Sequence, residues 1–175
     1  MGDAVPHVLI VGAGDTGLSL ATMLSSAGLR VSTLNRSGRS IDAATALVGD
    51  LADSASLMGL PSADVVVFTT APPSRDDEGY RTAYLDGPQR LLDALPTEPA
   101  RAVLTSTTGV YGADDGRWVT ATTPPDPSRS TAAIVVEGEA ALARRIPTTV
   151  VRSAGIYGPG RRRLIDQVLT GVVGV

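Results

Sequence analysis

Lysine is missing from this chain altogether: all 15 of its basic residues are arginine. No step that relies on a lysine ammonium is therefore available to it. Cysteine is absent too, which excludes disulfides and thiol chemistry and fits a cytoplasmic protein. Aromatic residues make up only 3%, so Phe68, Trp118 and the tyrosines at 80, 84, 111 and 157 each carry unusual diagnostic weight. No apolar run approaches the roughly 20 residues of a membrane span. No basic stretch precedes the first apolar run, as it would in a secretory leader. Positive charge is not in excess either. A net charge of -3 argues against nucleic acid as the main partner. No metal site is expected.

What remains is 175 residues with 43% hydrophobic content, enough for one domain with an ordinary core. Short apolar runs read as buried parallel strands at Val8 to Val11, Arg30 to Leu34, Asp64 to Thr69, Ala102 to Thr105 and Thr148 to Val151, with a weaker one at Ala46 to Val48. Helical spacing lies between them. Leu20, Met23, Leu24 and Ala27 form one stripe, stopped by Gly28. Tyr84, Leu91, Leu92 and Leu95 mark a second helix, which Gly87-Pro88 should break or restart. A third runs from about Thr131 to Arg145, and a short one covers Leu164 to Val172. Ala71 to Gly79 and Ala113 to Ser130 read as irregular loops. Alternating strands and helices predict an α/β fold, a doubly wound parallel sheet of the Rossmann kind in a single domain. Residues 1–160 would form that domain, and 161–175 would begin a substrate-side region.

The first strand runs into Gly12-Ala13-Gly14-Asp15-Thr16-Gly17. In this Gly-x-Gly-x-x-Gly loop Gly12 allows the tight turn, Gly14 lets backbone approach a pyrophosphate, and Gly17 lets helix and strand pack closely. The N–H groups opening the helix, at Asp15 and Thr16 onward, would face the phosphates. An NAD-preferring site usually ends its second strand on an acid. Here that point reads Asn35-Arg36-Ser37-Gly38-Arg39, with no carboxylate and with two arginines and a serine that could hold a 2'-phosphate. NADP is therefore expected in preference to NAD. The alternative is that Arg36 and Arg39 are solvated loop residues.

Four segments together resemble the extended and atypical short-chain dehydrogenase/reductases of the NAD-dependent epimerase/dehydratase group. They are the Gly12 loop, Gly49-Asp50-Leu51, Ser106 to Gly112 with its Val-Tyr-Gly, and Arg152 to Gly160 with its Ile-Tyr-Gly-Pro-Gly. The resemblance implies that Asp50 accepts from the adenine amino group with Leu51 beside the ring. It implies that Thr70, Ala71 and Pro72 line the cofactor. Thr107 would hydrogen-bond a substrate carbonyl or hydroxyl. Tyr157 and Gly158 to Gly160 would lie near the nicotinamide. Against these roles, Asp50 could cap a turn, Thr107 could satisfy local backbone, and Tyr157 could simply pack.

The chain also departs from that family. Members carry a Tyr-x-x-x-Lys pair, followed on the same helix by a glutamate. Matching the glutamate to Glu137 puts Arg129 and Ala133 at the pair; matching it to Glu139 puts Thr131 and Val135 there. Neither register supplies the tyrosine or the lysine. The pair exists because a phenol titrates near ~10, and a neighbouring ammonium brings proton exchange toward neutrality. Tyr111 is the remaining candidate near the site. His7, before the first strand, should lie at the opposite edge. Asp114, Asp115 and Glu137 are expected to be solvated or loop-capping. Extended members continue well past the Tyr-Gly-Pro-Gly segment into a region that closes over the substrate. Here only Arg161-Arg162-Arg163 and an apolar terminus follow, and the chain looks cut short. The triple arginine is either an anion grip or a charged helix start. The apolar end would favour association with itself or with another protein.

Three functions fit these features. The first is an NADP-dependent reductase, epimerase or dehydratase acting on a small hydroxyl or carbonyl compound. The second is a non-redox descendant of isomerase or cyclase type. The third is a regulatory protein that senses cofactor and passes its occupancy to a partner.

Overall fold

The structure, a computed structural model, describes residues 5–112, 116–158 and 161–171. Asp114, Asp115, Pro159, Gly160 and residues 172–175 lie outside the described residues. Six strands pair in parallel: β1 (His7–Val11), β2 (Arg30–Asn35), β3 (Thr45–Val48), β4 (Val65–Phe68), β5 (Arg101–Thr107) and β6 (Thr148–Ser153). Their order across the sheet is β3-β2-β1-β4-β5-β6. β1 and β4 are neighbours in space but not in sequence, so the winding direction reverses between them. That reversal opens a crevice above their carboxyl ends, where sheets of this kind hold ligands.

β1 is buried at all five positions, because both faces of the sheet are covered. Alternation sorts its side chains. Leu9 and Val11 join Leu34, Val66, Phe68 and Leu104 in the larger core, while Val8 and Ile10 join Val31, Val67 and Ala21 in the smaller one. The smaller core is closed by α1 (Asp15–Ser26), whose Leu20 and Leu24 pack inward as the stripe predicts. Ala27 closes the helix rather than extending its stripe, and Gly28 follows with φ at 83°, a left-handed geometry that suits glycine.

The larger core lies under α2 (Asp77–Tyr80), α3 (Asp86–Ala94) and α4 (Ser130–Arg145). α2 starts inside the segment expected to be loop, because the Asp76 side chain accepts a hydrogen bond from Gly79 N–H and caps it. Gly87-Pro88 restarts the helix without breaking it. A single π-helical turn, Arg81–Leu85, bridges α2 to α3, and Pro88 sits in the first turn of α3. Pro88 has no N–H to give the Tyr84 carbonyl four residues back. α4 crosses close at that point, where a side chain on Gly138 would overlap the Tyr84 carbonyl oxygen. α5 (Arg163–Leu169) follows β6, with Val168 and Leu169 exposed. Among the described residues, no helix is long and apolar enough to cross a membrane.

His7 lies at the amino edge of the sheet, far from the crevice, and is buried. Its Nδ1 is 2.6 Å from the Ser62 carbonyl, which can only accept, so Nδ1 carries the proton. In the neutral ring Nε2 then accepts from the Ser32 hydroxyl at 2.8 Å. His7, the first residue of β1, is a tie to Ser32 of β2 and Ser62, at the edge opposite the crevice as expected.

Candidate functional site

A cleft of about 430 Å³ occupies the crevice above β1, β2, β3 and β4. Its floor is the Gly12 loop. Gly12 has φ at 102°, and a Cβ there would come within 3.0 Å of the Thr69 carbonyl. The Thr69 hydroxyl donates to the carbonyls of Gly12 at 2.9 Å and Val11 at 3.2 Å, fastening the loop to the end of β4. A side chain on Gly17 would overlap the Gly12 carbonyl oxygen, so helix and turn touch as the motif requires. At Gly14 the situation reverses: a Cβ would meet nothing within 4 Å, and the space above it belongs to the cleft. Among the described residues no side chain caps α1, which leaves the N–H groups of its first turn for an external acceptor. These features fit the phosphates of a dinucleotide.

The next loop is folded in advance. Asn35 Oδ1 accepts from the backbone N–H groups of Ser37 at 3.2 Å and Arg39 at 2.9 Å, and from the Ser37 hydroxyl at 3.0 Å. Asn35 Nδ2 donates to the Arg39 carbonyl at 2.7 Å, and Thr33 donates to the same oxygen at 3.1 Å. Asn35 lines the cleft, yet both ends of its amide are spent on shaping the loop. Arg36, Ser37 and Arg39 also line the cleft. Both arginines are exposed, and among the described residues neither guanidinium has a partner.

Asp50 combines the two readings open to it. Its Oδ1 caps a turn by accepting from Ala52 N–H at 2.9 Å, and the half-buried residue also lines the cleft. Leu51 is buried beside it, and Arg90 donates to its carbonyl at 3.1 Å. Thr70 and Ala71 line the opposite wall, with the Thr70 hydroxyl donating to the Ala83 carbonyl of the π-helical turn at 3.2 Å. Pro73, not Pro72, completes that wall, together with Thr82 and Ala83. Thr69, Thr82 and Ala83 gave no signal in the sequence. A threonine at a strand end is common, and a π-helical turn has no short motif. Arg161 also reaches the cleft and pairs with Asp15 at 3.1 Å, whereas Tyr157 is 68% exposed and, with Gly158, lies outside the cleft lining.

The carboxyl ends of β5 and β6 are organised differently. The Ser106 hydroxyl donates to the Glu139 carboxylate of α4 at 2.5 Å, and both residues are buried. Arg152 of β6 grips the same carboxylate with Nε at 3.1 Å and Nη2 at 2.6 Å. Its Nη1 donates to the Tyr111 hydroxyl at 2.8 Å, and its guanidinium lies 5.2 Å from the centre of the Tyr111 ring. The Glu139 carboxylate, and secondarily the Tyr111 hydroxyl, hold the Arg152 pKa above its ordinary value against the opposing effect of burial. A second cavity of about 430 Å³ opens beside this network, lined by Thr108, Tyr111, Thr120 and Arg152 among others. Thr107 lines neither space, and its hydroxyl accepts from Gly109 N–H at 3.0 Å. Of the two glutamates on α4, Glu137 is exposed and Glu139 points inward. Counted from Glu139, the lysine position is Val135, which is fully buried in the core.

Comparison with known proteins agrees with this geometry. The NAD dependent epimerase/dehydratase family matches residues 8–173, and the chain belongs to it. A solved structure from Methylobacillus flagellatus, assigned as an NAD-dependent epimerase/dehydratase, is 30% identical, covers 98% of this chain and superposes with a TM-score of 0.82. A UDP-galactose 4-epimerase is 24% identical over 94% of the chain, with a TM-score of 0.79. A UDP-glucuronic acid 4-epimerase from Bacillus cereus, solved in complex with NAD, is 23% identical over 94%, with a TM-score of 0.72. The chain spans 62%, 62% and 63% of the length of these three proteins. No curated protein matches it in sequence.

Proposed function

We propose that the chain binds a nicotinamide dinucleotide in the cleft above the Gly12 loop, with NADP preferred to NAD, and presents it to a small hydroxyl or carbonyl compound. The observation that carries this reading is the uncapped N terminus of α1 opening onto free space at Gly14. Phosphates would be held by the backbone N–H groups of Gly14, Asp15, Thr16 and Gly17. Asp50 would accept from the adenine amino group through the oxygen not used in its turn, with Leu51 beneath the ring. Arg36 and Arg39 would hold the 2'-phosphate, supported by the rigid Asn35 loop and by the lack of any other partner for either guanidinium among the described residues. Thr70 and Ala71 would line the middle of the cofactor, with Tyr157 and Gly158 toward the nicotinamide. When bound, the cofactor supplies hydride transfer. The substrate would meet Tyr111 in the neighbouring cavity, with Thr107 at its margin still able to donate its hydroxyl proton.

A second reading is favoured by the β5–β6 side. No lysine exists in the chain, Val135 of the Glu139 register is buried in the core, and Arg152 is neutralised by Glu139. A protein that binds cofactor and performs isomerisation, cyclisation or sensing would look like this. Exposed Val168 and Leu169 support a protein contact for such a sensor.

Titration with NADPH and separately with NADH, followed by enhancement of the reduced cofactor's own emission, tests the reading. Trp118 is 95% exposed and makes a poor reporter. Saturable binding with NADPH the tighter ligand supports the proposal; no binding of either at millimolar concentration overturns it. Turnover of a carbonyl substrate with loss of reduced-nicotinamide absorbance then separates the redox reading from the silent one.

A further inference from the structure

The three consecutive arginines after β6 do different things. Arg162 pairs within its own helix start, 3.6 Å from Asp166. Arg163 opens α5. Arg161 alone turns back across the molecule. Its backbone pairs with that of Gly158: Gly158 N–H donates to the Arg161 carbonyl at 3.3 Å, and Arg161 N–H donates to the Gly158 carbonyl at 2.9 Å. Its side chain then reaches Asp15, 146 residues away in sequence, with Nε donating to Oδ2 at 3.1 Å.

Asp15 is an awkward residue for a phosphate loop. It is the first residue of α1, next to the open space at Gly14, and its carboxylate would repel the pyrophosphate that the helix N terminus attracts. The pairing with Arg161 offsets part of that repulsion. The ion pair does little for stability, since both side chains are substantially exposed, at 41% and 63%. Only Nε of Arg161 is engaged among the bonds described, so both terminal nitrogens remain able to donate into the cleft, which Arg161 also lines. A planar guanidinium with free terminal donors, held beside a helix N terminus, suits two phosphate oxygens.

We propose that Arg161 is the pyrophosphate-gripping residue of the cleft, and that it compensates the acid built into the glycine loop. The proposal rests on the dinucleotide reading and deepens it. It also links the segment after β6 to cofactor occupancy, because the residue whose backbone pairs with Gly158 would be the one that touches the phosphates.

The test compares Arg161→Gln and Asp15→Asn with the unaltered chain, titrating NADPH, NADH and 2'-AMP at several salt concentrations. Arg161→Gln should weaken both dinucleotides about tenfold and flatten the salt dependence of their binding, while leaving 2'-AMP, which has no pyrophosphate, unchanged. Asp15→Asn should bind dinucleotide at least as tightly as the unaltered chain, since a repulsive charge is gone and Arg161 is retained. Unchanged dinucleotide affinity in Arg161→Gln would overturn the proposal and leave the cleft assignment standing. Equal losses in the two variants would also overturn it, because the ion pair would then act only as a structural tie. If the unaltered chain binds neither dinucleotide, the cleft assignment itself fails and this proposal with it. Circular dichroism of both variants should be unchanged, because neither residue is buried.

Discussion

The two halves of the sheet treat their polar groups in opposite ways. Around β1 to β4 the groups at the strand ends are held open. The first turn of α1 is uncapped, Arg36 and Arg39 have no partners among the described residues, and Asn35 is spent only on fixing the loop that carries them. Around β5 and β6 the groups are closed on one another, with Ser106, Glu139, Arg152 and Tyr111 joined in a continuous network. Open groups cost little when they face water and are available to a ligand. Groups buried in the other half must be satisfied internally, because an unpaired buried charge costs several kcal/mol. The first half is built to receive something. The second has spent its polar side chains on one another.

Substitutions can break that contrast, and the largest effect is expected where the network is closed. Glu139→Ala leaves Arg152 half-buried without its carboxylate and Ser106 without an acceptor, and should destabilise the fold by about 3 kcal/mol. Urea denaturation would measure it, and dinucleotide affinity of the folded fraction should stay the same. Gly17→Ala comes next. Its Cβ would overlap the Gly12 carbonyl, so the turn must open, at about 1–3 kcal/mol of stability and with loss of detectable cofactor binding. Arg36→Gln and Arg39→Gln should leave stability within about 0.5 kcal/mol. Each should weaken NADPH about tenfold while sparing NADH, measured by parallel titrations. Equal losses for the two cofactors would remove the 2'-phosphate role.

The smallest effect concerns pH. The Ser74 hydroxyl, followed by Gly79 N–H, holds the Asp76 carboxyl below its ordinary 3.8. A depressed native value contributes stability that is present above the unfolded value and is lost as pH falls through the native one. Asp76→Asn should therefore destabilise slightly at neutral pH and make no difference in strong acid, as thermal melts across the acid range would reveal.

Much of this contrast was legible in the sequence, unevenly. The sheet was readable because β1 and β4 are continuous apolar runs, which only a strand covered on both faces needs. The Gly12 loop was readable because its glycine spacing follows a strand and opens a helix, whereas Asp50 was singled out only through the family resemblance. The π-helical turn was not, since Pro88 signals a disruption without saying on which side it falls. Thr69 was missed because its task, tying two carbonyls, could fall to any small donor. The Ser106–Glu139–Arg152–Tyr111 network was invisible for a different reason. Three of its members come from β5, α4 and β6, up to 46 residues apart, and Tyr111 lies between β5 and α4; only the packing of α4 against β5 and β6 brings them together. The sequence also left two registers for the α4 glutamate, of which Glu139 is buried and Glu137 exposed.

The most direct test of the contrast is a titration of the isotopically labelled chain with NADPH, following backbone amide resonances. The account predicts saturable shifts at Gly12 to Gly17, Arg36 to Arg39, Asp50 and Thr70, with the amides of Glu139 and of Arg152 unmoved. Shifts centred on Tyr111, Glu139 and Arg152, with the Gly12 loop silent, would contradict it.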